Sequence, residues 1–280
     1  MAQEGFLYEE NAYKALKKFN ISTGVVAGAS HTLPDLTIHK PSKIVAKKLS
    51  GYQTAGVELK NQPTAAGSLV MKYYKGAWDY GKYNDAEEKI FIHDLAESQA
   101  LLKNMNTSGT AGKNWRGKVP VLQNDSGGAK IYTGNMSKKK AYEKDIANFG
   151  ADSEIHLEIP AKAICDYYTK KGCSYINVGT HGFFTLNGRD KLKLNDALKK
   201  QKLALIPDFA NSASAIIRVR CQFKGSISKG SYDYQFVTTL QFSGVSKSPY
   251  NIAPLVKGSK STIDVKALSA SSLISVLQGV

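Results

Sequence analysis

The tripeptide Glu58-Leu59-Lys60 lies in the short apolar run "AGVELKNQ". Asp35, which follows Pro34 at the head of "PDLTIHK", is separated from Glu58 by 22 residues. Side chains alternate along a strand, so Glu58 and Lys60 fall on the same side. If the two strands pair, Asp35 and Glu58 converge. Two carboxylates plus waters are a usual way to hold Mg²⁺, which prefers oxygen and dehydrates reluctantly. Lys60, one side-chain step farther along, could hold or deprotonate a water attacking a phosphodiester while the metal neutralises charge on the phosphoryl oxygens. The competing reading is a turn aspartate beside an ordinary Glu/Lys strand face. Geometry separates them, because carboxylates more than about 8 Å apart cannot share one Mg²⁺ through bonds near 2.1 Å.

These residues need elements to position them. From Glu4 to Phe19, Phe6, Tyr13, Leu16 and Phe19 recur close to helical spacing, with Lys14, Lys17 and Lys18 on other faces, which predicts a helix. "ISTGVVAGAS" reads as a strand, "DLTIHK" as a second around Leu36 and Ile38, and "AGVELKNQ" as a third centred on Val57 and Leu59. Downstream, a helix is expected from Ala161 to Lys171, ended by Gly172, with a strand from Ser174 to Val178. The fold class is therefore α/β. Its core has the order αβββαβ and a mixed sheet, discontinuous over residues 1–62 and 151–187. Residues 63–150 read as a long insertion with turn chemistry and a helix of its own from Ala86 to Asn104. Residues 188–280 read as a β-rich extension. There Ile217, Val219, Cys221 and Phe223 alternate with Arg218, Arg220, Gln222 and Lys224, and "YDYQFVTTLQF" turns Tyr232, Tyr234, Phe236, Leu240 and Phe242 inward, as in an antiparallel hairpin.

Pro34-Asp35, Glu58-Leu59-Lys60 and the αβββαβ order together resemble the PD-(D/E)xK nuclease superfamily, the restriction-endonuclease-like fold. The likeness spans the amino-terminal residues to about 60 and those from about 155 to 185, and leaves the insertion and the last third unexplained. It implies that Asp35 and Glu58, with Leu59, contact Mg²⁺ (Mn²⁺ as a substitute), and that Lys60 positions the water or accepts its proton. Many members also carry a glutamate on the first helix. Glu9 and Glu10 are the candidates, and Glu9 has the better spacing from Gly5, Ala12 and Leu16. Gln62 is a weaker addition on the same strand face. The implied activity is endonucleolytic hydrolysis of DNA, leaving a 5′-phosphate and a 3′-hydroxyl. Sequence-specific cutting of the restriction or homing type is the first expectation and cleavage of branched DNA a variant. A non-catalytic nucleic-acid-binding protein on the same fold is the alternative from another class. Cutting two strands with one site per chain implies a homodimer.

Charge supports a polyanionic partner: 38 Lys and Arg against 23 Asp and Glu leave +15, and each cation set on a phosphate releases counterions. The alternative is a solubility charge without a partner. No amphipathic helix concentrates the lysines for a membrane surface, and no apolar run approaches the roughly 20 residues of a bilayer span. The amino terminus carries early acids and no apolar signal core, which together with reduced cysteines points to a cytoplasmic protein. Cys165, Cys173 and Cys221 are too few and too irregularly spaced for a disulfide framework. The five histidines include no HExxH pair, which argues against zinc.

The polar face of Arg218, Arg220, Gln222 and Lys224 has side chains that read base edges, on a two-stranded ribbon suited to the major groove, or else it is a solvated sheet face. Trp115 and Arg116 in "NWRGK" could stack on a base, or Trp115 could anchor its loop. The lysine run in "MSKKKAYEK" is a phosphate grip or wet surface. His181 sits in a turn after a strand and could touch a phosphate; His31, four residues before Asp35, has no assigned role. Other acid-x-lysine and Pro-Asp occurrences, at Glu87-Glu88-Lys89, Asp264-Val265-Lys266 and Pro207-Asp208, lack the paired-strand context.

Overall fold

The computed structural model describes residues 2–24, 26, 33–41, 52–74, 77–80, 96, 99–100, 103, 122–123, 129–133, 154–223 and 231–279. They form two compact units. One comprises Met1–Ala66, Pro160–Ala215 and Phe242–Val280, the other Gly67–Ile159 and Ile216–Gln241.

In the first unit, helix α1 (Ala2–Lys18) buries Tyr8, Ala12, Ala15 and Leu16, a stripe at i, i+4, i+7 and i+8. Phe6 is therefore not a core residue. It is exposed, and Tyr13 is half-buried with its hydroxyl donating to the Gly24 carbonyl at 2.6 Å. Strand β1 is short, Ser22–Thr23, and pairs antiparallel with β2 (Leu36–Pro41), which pairs antiparallel with β3 (Tyr52–Lys60). The second unit contains β4 (Gly67–Tyr74), β5 (Ala77–Tyr80), β6 (Leu122–Gln123), β7 (Ala129–Thr133) and β8 (Glu154–Ile159). Helix α2 (Ala161–Lys170) then returns the chain to the first unit, followed by β9 (Cys173–Val178), parallel to β3, and β10 (Gly182–Thr185), antiparallel to β9. The sheet order β1-β2-β3-β9-β10 is thus mixed, in an α/β unit whose first six elements run αβββαβ.

The two faces of this sheet are dressed differently. Leu36, Ile38, Ala55, Val57, Leu59 and Tyr175 lie in one buried cluster with the α1 stripe. Leu194 and Leu198 of the helix Leu194–Lys200 join it, as do Leu268 of Val265–Ser269 and Leu273, Ile274 and Leu277 of Ser272–Gln278. Strand alternation sends Glu58 and Lys60 to the opposite face. α2 packs there against β9, burying Ala161, Ile164, Cys165 and Tyr168. The helix ends as expected of a glycine stop, with Gly172 at φ +87.

Gly56 positions the start of β2. A Cβ there would stand 2.5 Å from Pro34 Cγ and 2.6 Å from the Gly172 carbonyl oxygen. Gly56→Ala should lower stability by about 1–3 kcal/mol, the usual penalty for overpacking, read as a fall in the urea midpoint at constant slope. It would also push on Pro34 and so on Asp35; an unchanged midpoint would show that this close approach does not exist in solution.

The carboxy-terminal part departs from expectation. Residues 188–280 are not a β-rich extension apart from the core: 188–215 and 242–280 belong to the first unit and supply three helices to its cluster. The leucines and isoleucines near the chain end bury in the same cluster as β2, the α1 stripe and the helix Leu194–Lys200, a constraint local alternation does not express. β11 (Ser214–Phe223) and β12 (Ser231–Ser243) are also not a free ribbon. They lie inside a seven-stranded sheet, order β5-β4-β12-β11-β8, with β7 also paired to β12. β11 is flanked on both edges, because β8 supplies a second partner. The helix expected over 86–104 falls largely outside the described residues; 96, 99, 100 and 103 are helical.

Candidate active site

The β2–β3 register sets Leu36 opposite Val57 and Thr37 opposite Gly56, so Asp35, one residue before the strand, comes level with Glu58. The Leu59 N–H donates to Asp35 Oδ2 at 2.8 Å and fixes that carboxylate on the rim of β3. Leu59 contributes this backbone group, while its side chain is buried in the apolar cluster on the other face. Lys60 donates through Nζ to Glu58 Oε1 at 2.5 Å and lies 3.7 Å from Asp35 Oδ2. Those two oxygens therefore lie no more than about 6 Å apart, inside the roughly 8 Å expected of the pair; direct bonds of about 2.1 Å from both to one Mg²⁺ would bring them within about 4.2 Å.

A second ammonium completes the cluster. Lys171, at the C-cap of α2, donates to Glu58 Oε2 at 2.7 Å and lies 3.7 Å from Asp35 Oδ1. Its side chain is only 6% exposed, those of Glu58 and Asp35 3% and 5%. Both ammoniums stand over the Tyr168 ring, 5.6 Å from its centroid for Lys60 and 5.8 Å for Lys171, within cation–π range. The Cys173 thiol lies 3.8 Å from Glu58 Oε2. Lys171 and Tyr168 escaped the sequence reading. The signal was the α2 stripe itself: 161, 164, 165 and 168 are buried, and 171 continues that face, so a lysine there needs a buried partner.

Glu9 faces this cluster from α1, whereas Glu10 is exposed and paired with Lys14 at 2.6 Å. Glu9 Oε2 is buried and has no hydrogen-bond partner. Burial, then the negative charge of Asp35, push its carboxyl up to about 8. Burial, then Glu58, raise Asp35 to about 6. Burial alone would raise Glu58 too, but Lys60 and Lys171 outweigh it and hold that carboxyl below its ordinary value. In return Glu58 keeps both lysines charged against burial, Lys60 well above its usual range.

Three carboxyls, two of them resisting ionisation, and one orphaned buried oxygen fit a hard cation. Among the described residues no group of three or more His, Cys, Asp or Glu side chains closes into a metal cage, but two carboxylates plus waters suffice for Mg²⁺. Asp35 and Glu58 are the side chains that would hold it, with Glu9 beside them.

The raised Glu9 value has a consequence for the metal-free protein. An acid with its folded value above its unfolded value of 4.5 binds more protons when folded, so stability is greatest below that value and falls as pH rises through about 8. Glu9→Gln should therefore raise stability above pH 8 by about 1–3 kcal/mol, discounted for partial exposure, and leave it unchanged near pH 4. Melting curves from pH 4 to 9 in EDTA check this; equal curves at pH 9 would place Glu9 in open solvent.

Gln62 is half-buried before the 3₁₀ turn Pro63–Ala65. His181 occupies the β9–β10 turn with Thr180 Oγ1 2.8 Å from its Nδ1. Asp208 and Asp264 are caps, accepting from the Ala210 and Ala267 N–H groups. Cys165 and Cys173 are buried free thiols. Arg218, Arg220 and Gln222 are on β11, but their side chains, and Lys224, Trp115, Arg116, His31, Glu87 and the lysines of "MSKKKAYEK" altogether, lie outside the described residues. No helix among the described residues is long and apolar enough to cross a membrane. Comparison with protein-family models, curated proteins and solved structures returns no match.

Proposed function

We propose that the protein is a Mg²⁺-dependent DNA endonuclease of the PD-(D/E)xK kind. The observation that carries this is the convergence of Asp35, Glu58 and Lys60 on one buried pocket beside the unpartnered Glu9 oxygen. Asp35 and Glu58 would hold the ion, with the Leu59 N–H orienting Asp35. When bound, Mg²⁺ neutralises charge growing on the phosphoryl oxygens and acidifies a coordinated water. Lys60 is kept as an ammonium by Glu58, which suits it to orient the attacking water and donate to phosphate rather than to remove a proton. Glu9, whose carboxyl titrates near neutral pH, is the better proton acceptor. The +15 charge supports a nucleic-acid partner, and a homodimer would bring two sites to two strands.

Both Glu58 oxygens are engaged by lysines, and this favours a second reading, a non-catalytic DNA-binding protein whose former metal pocket is closed by ion pairs. Supercoiled plasmid with protein and either MgCl₂ or EDTA separates the two. Nicked and linear products with MgCl₂ alone are expected. Retarded but uncut plasmid, with single-stranded and branched DNA also uncut, would overturn the nuclease in favour of the binding protein.

A further inference from the structure

We infer that Lys171 is an internal counter-cation that competes with the divalent ion for Glu58, and so sets how tightly this protein binds metal. The inference rests on the metal-site reading above and concerns the one charged residue of the pocket that reading leaves without a task. Lys171 and Lys60 bracket the two carboxylates symmetrically. Each ammonium bonds one oxygen of Glu58, at 2.7 and 2.5 Å, and stands 3.7 Å from a different oxygen of Asp35. Two positive charges thus already occupy the carboxylates a cation needs.

The two lysines are not equivalent. Lys60 rises from the same strand as Glu58, two residues away, with its side chain 15% exposed. Lys171 arrives on the cap of α2, 113 residues away in sequence, with its side chain 6% exposed. A carboxylate oxygen bonded to a buried ammonium at 2.7 Å must leave that bond, or share it, before a divalent ion can take it. The Tyr168 ring stands under the displaced ammonium and gives it a second resting face, so its departure from Glu58 need not expose it or bury it unpaired. Lys171 thereby keeps Asp35 and Glu58 together without metal and resists metal entry, a positioning role distinct from that of Lys60.

The test uses the full chain and Mn²⁺ alone, titrated in DNA-free buffer and read from the electron paramagnetic resonance signal of free ion. Lys171→Met should bind Mn²⁺ about tenfold tighter than the wild type, and Asp35→Asn should lose binding. Lys171→Gln, which keeps a donor for Glu58 but no charge, should show the same direction and carries the test if the Met variant does not fold. Mn²⁺ affinity equal to or weaker than wild type in the folded Lys171 variants, with binding still lost in Asp35→Asn, would overturn the inference while leaving the metal site standing. No Mn²⁺ binding by any form, or binding indifferent to Asp35→Asn, would overturn the site itself. A further readout needs no substitution: the Nζ resonance of Lys171 in ¹⁵N-lysine-labelled wild type should shift on adding MgCl₂. A resonance unmoved at saturating Mg²⁺ would show that Lys171 keeps Glu58 and that the competition is absent.

Discussion

Asp35→Ala and Lys60→Ala should each reduce Mg²⁺-dependent plasmid cutting by on the order of 10³-fold or more, while DNA retention in EDTA stays within about twofold of wild type. The two losses have different causes. Asp35 is a ligand candidate whose carboxylate is aimed by the Leu59 N–H at 2.8 Å, so its removal takes away ion binding, and raising MgCl₂ should recover part of the activity. Lys60 donates to Glu58 and has the more exposed side chain of the two lysines, 15% against 6%. Its loss removes the charge beside the phosphate, which no added MgCl₂ replaces, so Lys60→Ala should stay inactive at any concentration. Lys60→Arg keeps the charge but not the compact ammonium geometry and should recover only a small part. Cutting that persists in both alanine variants would refute the site assignment, whatever the wild type does.

The second large effect is on folding. Glu58→Ala should destabilise the metal-free protein by about 3–5 kcal/mol, measured by urea unfolding in EDTA, because it strands two buried ammoniums that Glu58 now pairs. The penalty comes from the lysines left behind, so it is separable from any packing loss. Adding Lys171→Met to Glu58→Leu should return at least half of the lost stability, since a buried ion pair replaced on both sides by apolar groups is often close to neutral. Glu58→Gln should fall between, as it keeps an acceptor for one lysine. A loss below about 1 kcal/mol for Glu58→Ala would mean that the pocket is wet and the ion pairs are worth no more than surface ones. This double-variant series also bears on why the cluster persists: it costs desolvation of four charges, which hydrophobic residues of similar volume would avoid.

What local pattern could specify, it did. α1, β2, β3, α2 and β9 each announce themselves by period and by their terminators, and the alternation of Glu58 and Lys60 with the Asp35 level follows once β2 and β3 pair. These are interactions within a strand or between strands close in sequence, so residue spacing carries them. The preference for Glu9 over Glu10 came from its spacing to Gly5, Ala12 and Leu16, while the buried stripe through Tyr8, Ala12 and Leu16, with Phe6 left exposed, fixes the helix's orientation only in the packed structure. Lys171 lies 113 residues from Glu58 in sequence, and β11 gains its second edge from β8, as the last helix gains its cover from β2 and the helix Leu194–Lys200. Those pairings arise where separate elements meet face to face. Chain alternation and period say which side of an element is apolar, but the partner that covers it, and the charge that partner carries, are decided by packing in three dimensions.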